Sequence, residues 1–331
     1  MNAVTKDKFN KANKLLNRMM PILTPLAVAI GLVLGNRISW MKPGVTYLFA
    51  CMTFLGTMKI SIKEIGDTLK KPAFLIAFAL GSYIIMPLVA ELAGLAFSFG
   101  DKDLISGYNL MRAIPTGVVC TIWTMILSGN LAASISILML DTLLAPFLTP
   151  LLLRIFTGEA ITIDSIGMMK SLLFMVLIPS VLGLIFNHFC KNFIDEDLGP
   201  ISNPLSKLLL VMVIAINTSN VANKIIDNLS FSYIFIALGS LALAIVGFPI
   251  GYLLSKLFHL DPTKSVSVTM TIALRNVSAA LVLAITYLPS SAALPVIFSI
   301  IFHQSICAFM GNWLFGHTQK TSSYASSQPE N

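Results

Sequence analysis

The sequence predicts an all-α polytopic membrane protein, with about ten transmembrane helices arranged as two inverted five-helix repeats. Three observations predict it. The composition is apolar, with 56% hydrophobic residues, 11% charged residues and a mean hydropathy of +0.84, where a soluble domain carries about 25% charge. Apolar runs long enough to cross a bilayer core recur along the chain between short polar breaks. The two halves of the chain also echo one another.

The first element is a polar extension, 1–18, which carries Lys6, Lys8, Lys11, Lys14 and Arg18. The apolar run behind it lacks a small-residue cleavage pattern, so the extension reads as a retained cytoplasmic segment rather than a signal peptide. The first repeat, 19–158, holds apolar runs at 19–36, 43–62, 73–99, 104–128 and 131–155. The second, 163–316, holds runs at 166–189, 202–222, 230–257, 265–287 and 291–315. The breaks at Ser128, Gly129 and Asn130 and around Leu288, Pro289 and Ser290 are short. A tail over 317–331, rich in Ser and Gln and poor in core-forming residues, reads as disordered and cytoplasmic.

Charge placement orients the chain. With the amino terminus inside, fourteen basic residues fall on the cytoplasmic side, among them Lys59, Lys63, Lys70, Lys71, Lys191, Lys207, Lys256, Lys264 and Lys320. Six fall opposite: Arg37, Lys42, Lys102, Arg154, Lys170 and Lys224. This bias is the insertion rule for multi-pass proteins and predicts a plasma-membrane protein with both termini cytoplasmic. It also accounts for the net charge of +7 without nucleic acid, which would need basic residues gathered on one solvated face. Cys51, Cys120, Cys190 and Cys307 form no C-x-x-C, and His188, His259, His303 and His317 stand singly. Disulfide, metal and embedded-enzyme readings therefore find no residues to build on.

The internal echo is one of proline and arginine. Ser82-Tyr83-Ile84-Ile85-Met86-Pro87 in the third run matches Ala244-Ile245-Val246-Gly247-Phe248-Pro249 in the eighth. Pro87 and Pro249 are 162 residues apart, and Arg112 and Arg275 are 163 apart. A weaker echo pairs Pro25 with Pro179. Each half has an odd number of runs, so the second must enter from the opposite side, the inverted architecture of many secondary transporters.

Charge inside apolar runs marks candidate function, because each buried charge costs about 2.5–3.5 kcal/mol on insertion scales. Glu91, Arg112, Asp141 and Arg275 are such residues. Glu91 lies toward the end of its run and reads as structural. Arg112 precedes Pro115, which interrupts helical bonding in the fourth run, and Gly117 permits close approach. Arg275 lies among Thr269, Thr271, Asn276 and Ser278, and its planar fork suits a carboxylate. The competing reading pairs it with Asp141 as a helix-to-helix ion pair; free of such a partner, Asp141 could carry a coupling proton.

Ile85-Met86-Pro87, Pro115-Thr116-Gly117 followed by Gly129-Asn130, Ala145-Pro146 with Thr149-Pro150, and Asn276 together resemble the bile acid:sodium symporter family, over essentially residues 18–316. The resemblance implies a core of the third to fifth and eighth to tenth helices and a panel of the others. It implies broken fourth and ninth helices that cross around the substrate. The implied substrates are small organic anions: bile acids, or keto, hydroxy or pantoate-like acids. Arg275, Asn276, Arg112 and Thr116 are the candidate substrate residues, and Thr121, Ser134, Asp141, Thr271 and Ser82 the candidate ion or coupling residues.

The family's sodium motifs are altered here. Its Pro-Gly-Gly-Thr-Ala-Ser-Asn reads Pro115-Thr116-Gly117-Val118-Val119-Cys120-Thr121, which changes both the Ser and the Asn ligand. Its ninth-helix Glu-x-Gly-x-Gln-Asn reads Thr271-Ile272-Ala273-Leu274-Arg275-Asn276, which loses the carboxylate and replaces an amide by a cation. A third-helix Gln corresponds to Ser82. Sodium stays possible as a coupling ion with its family ligands partly absent, no other cofactor is implied, and the expected partners are a small organic anion and the bilayer. An anion channel or uncoupled facilitator is the alternative function.

Overall fold

The computed structural model describes residues 3–58, 72–157, 164–194, 198–219, 222 and 231–325, and among these it is helical, with no strand longer than an isolated bridge. In chain order the helices are α1 (Ala3–Leu34), α2 (Val45–Thr57), α3 (Pro72–Phe97), α4 (Lys102–Ala113), α5 (Val119–Ile126) and α6 (Leu131–Thr157). The second half supplies α7 (Ser165–Lys191), α8 (Gly199–Ser219), α9 (Ser232–Leu257), α10 (Pro262–Ala273), α11 (Val277–Tyr287) and α12 (Ala293–Ala325).

Five helices, α3, α6, α7, α8 and α9, are each long and apolar enough to cross a membrane, and α12, bent by 45° between Ser290–His303 and Ser305–Phe315, makes a sixth. Large apolar side chains stand exposed on these and the neighbouring helices, including Val33, Phe147, Phe174, Phe189 and Leu253. Such faces are stable against hydrocarbon and costly against water. The chain is thus a multi-pass membrane protein.

Two differences from the sequence reading lie at the ends of the chain. The polar extension is not separate from the first apolar run: residues 3–34 form one helix that carries Pro21 and Pro25 within it and ends before Gly35, at φ 45°. At the other end α12 continues to Ala325, so the tail is helical at its start. The rest of the tail, 326–331, and the expected cytoplasmic loop with Lys59, Lys63, Lys70 and Lys71 lie outside the described residues, as does Lys224.

The prolines act locally. Met86 donates its N–H five residues back to Gly81 just before Pro87, and Ile178 does the same to Leu173 before Pro179. These π turns absorb the strain a ring without an N–H imposes on a helix. Pro249 sits in α9 without such a turn, so the Pro87 and Pro249 echo in sequence is not an echo in backbone.

Most helix packing falls into two groups. α1 packs on α8, and α2 packs on both α8 and α7; α9 packs on α10 and α12, α3 on α4, and α4 on α6 and α12; the packing of α7 on α6 joins the two groups. The second group contains both interrupted segments, 114–118 and 274–276, and these define the site.

Candidate functional site

Each interrupted segment begins where a capped helix is forced to stop. Asp101 caps α4 by accepting the N–H groups of Asp103 and Leu104, and the helix ends at Ala113 because the residue before a proline is disfavoured in helical geometry; Ile114 is extended at ψ 150°. Asp261 caps α10, Pro262 occupies its first turn, and Leu274 leaves the helix at φ −100°, ψ 90°. No proline marks this second break. Asn276 makes it instead, since its Oδ1 accepts the Ala279 N–H at 3.2 Å and starts α11 afresh.

The two breaks cross as a short antiparallel bridge between Thr116 and Arg275. Gly117 donates its N–H to Leu274 O at 2.9 Å, and Asn276 donates to Pro115 O at 2.8 Å. A Cβ on Gly117 would lie 3.0 Å from Arg275 O, which is why glycine stands there. The carbonyls freed at the helix ends are also met: Thr149 donates to Ala113 O at 2.8 Å, and Arg112 donates through Nη1 to Ala273 O at 3.0 Å; its Nη2 reaches Leu243 O inside α9. Unpaired backbone groups at membrane depth cost several kcal/mol each, so this accounting is what allows the breaks.

Asp141, from α6, sits against the crossing and is 2% exposed. Its Oδ1 accepts the Tyr83 hydroxyl at 2.7 Å, and its Oδ2 accepts Thr116 N–H at 2.7 Å, Thr116 Oγ1 at 2.6 Å and Arg275 Nη1 at 3.0 Å. Three donors converge on Oδ2 and one on Oδ1, so both carboxylate oxygens are partnered. Arg275 is equally buried, and its Nε and Nη2 have no hydrogen-bond partner. Those two groups form the side-on edge of the guanidinium, the edge that takes a carboxylate by two parallel bonds. Arg112, bonded to Ala273 O two residues before Arg275, adds a second cation beside it. Two cations and one carboxylate leave the crossing with a net positive charge.

The structure therefore brings Arg275, Thr116, Asp141, Arg112 and Asn276 together, with the Thr271 carbonyl 3.2 Å from Thr116 Oγ1. Arg112 is committed to carbonyls, and Asn276 to its cap. Ser82 is buried with an unpartnered hydroxyl on the π turn that presents Tyr83. Thr121 and Ser134 stand off from the carboxylate: the Thr121 hydroxyl donates to Val118 O at 2.7 Å, and the Ser134 hydroxyl pairs with Thr124 at 2.8 Å. Glu91 accepts from Asn109 at 2.6 Å and joins α3 to α4. Sequence reasoning assigned no role to Tyr83 or Thr149; a phenol and a hydroxyl inside apolar helices were the available signals, since such groups find partners when buried. Among the described residues no group of three or more His, Cys, Asp or Glu could hold a metal ion.

A profile described as Sodium Bile acid symporter family matches residues 45–228. The chain is 34% identical over 295 residues to the uncharacterized protein YbaS of Bacillus subtilis (strain 168), spanning 89% of this chain and 96% of that one. It is 26% identical over 276 residues to the uncharacterized sodium-dependent transporter YocS of the same organism, spanning 82% and 83%. It is 28% identical over 265 residues to the probable sodium/metabolite cotransporter BASS1, chloroplastic, of Arabidopsis thaliana, spanning 80% of this chain and 65% of that protein.

Proposed function

The chain belongs to the sodium bile acid symporter family, whose members are transporters rather than enzymes, and from that premise we propose that it is a secondary active transporter of small organic anions working by alternating access. The observation that carries this reading is the unpartnered Nε and Nη2 edge of Arg275 at the crossing of two broken helices. A carboxylate there would complete the guanidinium's bonding in a site already biased to positive charge. The Asn276 amide nitrogen, its Oδ1 being spent on the cap, would orient the rest of the substrate, with Thr116 acting through Asp141.

Ten spans in two inverted repeats, 19–158 and 163–316, fit this role in a plasma membrane with both termini cytoplasmic. In that arrangement α4 with α5, and α10 with α11, each count as one broken span. The group of α3 to α6 with α9 to α12 would be the core, and α1, α2, α7 and α8 the panel. The packing of α1 and α2 on α8, and of α9 on α10 and α12, supports the division, with α7 on α6 as the seam between the two parts.

Coupling is the finer question. The family description and the relatives' names speak of sodium. Here the one carboxylate at the crossing already holds an internal cation, and the Thr121, Ser134 and Thr271 hydroxyls donate or pair locally. Arg275 then supplies the charge that a bound sodium ion would supply, and transport proceeds without a strict sodium requirement. The same occupancy is what favours the second reading, an uncoupled facilitator.

The test is uptake of radiolabelled carboxylates into proteoliposomes, with and without a sodium gradient, for the wild type and Arg275→Gln. Uptake lost in a folded Arg275→Gln protein supports the anion site. Strictly sodium-dependent uptake overturns the built-in cation.

A further inference from the structure

A second polar site lies away from the crossing. A cavity of about 230 Å³ is lined by Lys42, Pro43, Val45, Thr46, Asn217, Val282 and Thr286. α2 and α8 form one wall and α11 the other, so it opens between the two packing groups. α11 starts at the crossing, and ten residues at 1.5 Å each put Thr286 about 15 Å along the helix from Asn276. Val282 and Thr286 are one helical turn apart and share a face.

Asn217 makes this more than a packing gap. It is 2% exposed, its Nδ2 has no hydrogen-bond partner, and it lines the cavity. A buried amide left unpaired is destabilising, and an acceptor in the cavity removes that penalty. The one charged group on the lining is Lys42, an ammonium, and the Thr286 hydroxyl is spent on Val282 O at 2.7 Å. Two nitrogen donors, one of them cationic, and no acidic group select an anionic acceptor. The volume is below the roughly 300–1,000 Å³ of pockets for drug-sized ligands, so it suits a small acid and not a steroid.

We propose that this cavity is a second anion site that captures the carboxylate of a small monocarboxylic acid on Lys42 and Asn217 before it reaches the crossing. The proposal rests on the transport reading for its purpose, but not for its binding chemistry. A site one α11 length from the crossing raises the local concentration of the acid beside the path between the two packing groups, as charged clefts do.

The experiment is a thermal-shift titration of the purified full chain in nanodiscs with potassium pyruvate, against potassium chloride as the ionic-strength control. A pyruvate-specific shift is expected in the wild type and in Arg275→Gln, with the apparent affinity about ten-fold weaker in Asn217→Leu and Lys42→Gln. Lys42 is exposed, so its variant reads the site even if Asn217→Leu does not fold. The proposal is overturned by no pyruvate shift beyond chloride, by an unchanged shift in Lys42→Gln, or by a shift abolished in Arg275→Gln, since the cleft would then hold water alone. Uptake in parallel separates the two readings: a pyruvate shift lost in Lys42→Gln, with no carboxylate transported by the wild type, would sink the transport reading and leave this site standing.

Discussion

The guanidinium of Arg275 approaches the carboxylate of Asp141 to 3.0 Å with both side chains 2% exposed, and both oxygens of Asp141 are partnered while Nε and Nη2 of Arg275 are not. That asymmetry separates the parts of the site that hold it together from the part free to act.

Removing the carboxylate alone should be the most damaging change at the crossing. Asp141→Asn strands a buried cation, at about 3–5 kcal/mol, and is expected to collapse the melting temperature of the purified protein. The double variant Asp141→Asn/Arg275→Gln, which removes both charges, is expected to recover much of that loss. Thermal unfolding followed by size-exclusion chromatography reads both.

Tyr83→Phe removes one of four donors to Asp141 and leaves the other three. The expected loss is about 1.5–3 kcal/mol, the range for hydrogen bonds to charged groups, with folded protein still recoverable. A stability equal to wild type in a denaturation series would show that the phenol contributes nothing.

Gly117→Ala tests the closeness of the crossing. The added Cβ meets Arg275 O at 3.0 Å, and forcing the segments apart should cost about 1–3 kcal/mol, as overpacking does. Uptake is expected to fall more steeply than stability, because the bridge sets the position of Arg275.

Asn276→Ala removes the cap of α11 and should cost about 1 kcal/mol. Asn276→Ser and Asn276→Asp keep the cap. If uptake returns with either, the side chain acts through the helix start; if it returns with neither, Asn276 contacts the substrate.

Asp261, outside the spans, offers a pH signature. Burial pushes its carboxyl up, but the Lys264 ammonium, the Thr263 hydroxyl and the Lys264 N–H together hold it down at about 2, against 3.8 unperturbed. A lowered folded value means that its contribution is complete above about pH 4 and fades as pH falls toward 2. The stability difference between wild type and Asp261→Asn should be constant above about pH 5 and shrink below about pH 4.

Much of this site is legible in the sequence because charge in an apolar run is expensive and so conspicuous: Asp141 and Arg275 announce themselves, and Pro115 announces the first break. The second break has no proline. Its signal is Asn276, an ordinary polar residue until its cap is seen, and the family resemblance rather than the residue carried that expectation. Arg112 and Arg275 look equivalent by spacing, yet one ends a helix and spends both terminal nitrogens on carbonyls, leaving only Nε unpartnered, while the other lies in the bridge with Nε and Nη2 both unpartnered. Asn217 and Tyr83 are harder to read: a lone polar group in an apolar run signals that it finds a partner but not which way it faces. Composition likewise marks 1–18 as polar but cannot say that it forms one continuous helix with the first apolar run.

The bridge of two backbone hydrogen bonds between 115–117 and 274–276 joins two segments from opposite halves of the chain into one rigid knuckle. A tilt of either broken helix must drag the other, and with them the fork of Arg275 and the α6 carboxylate that steadies it. Whatever that fork holds would move with the knuckle as one body.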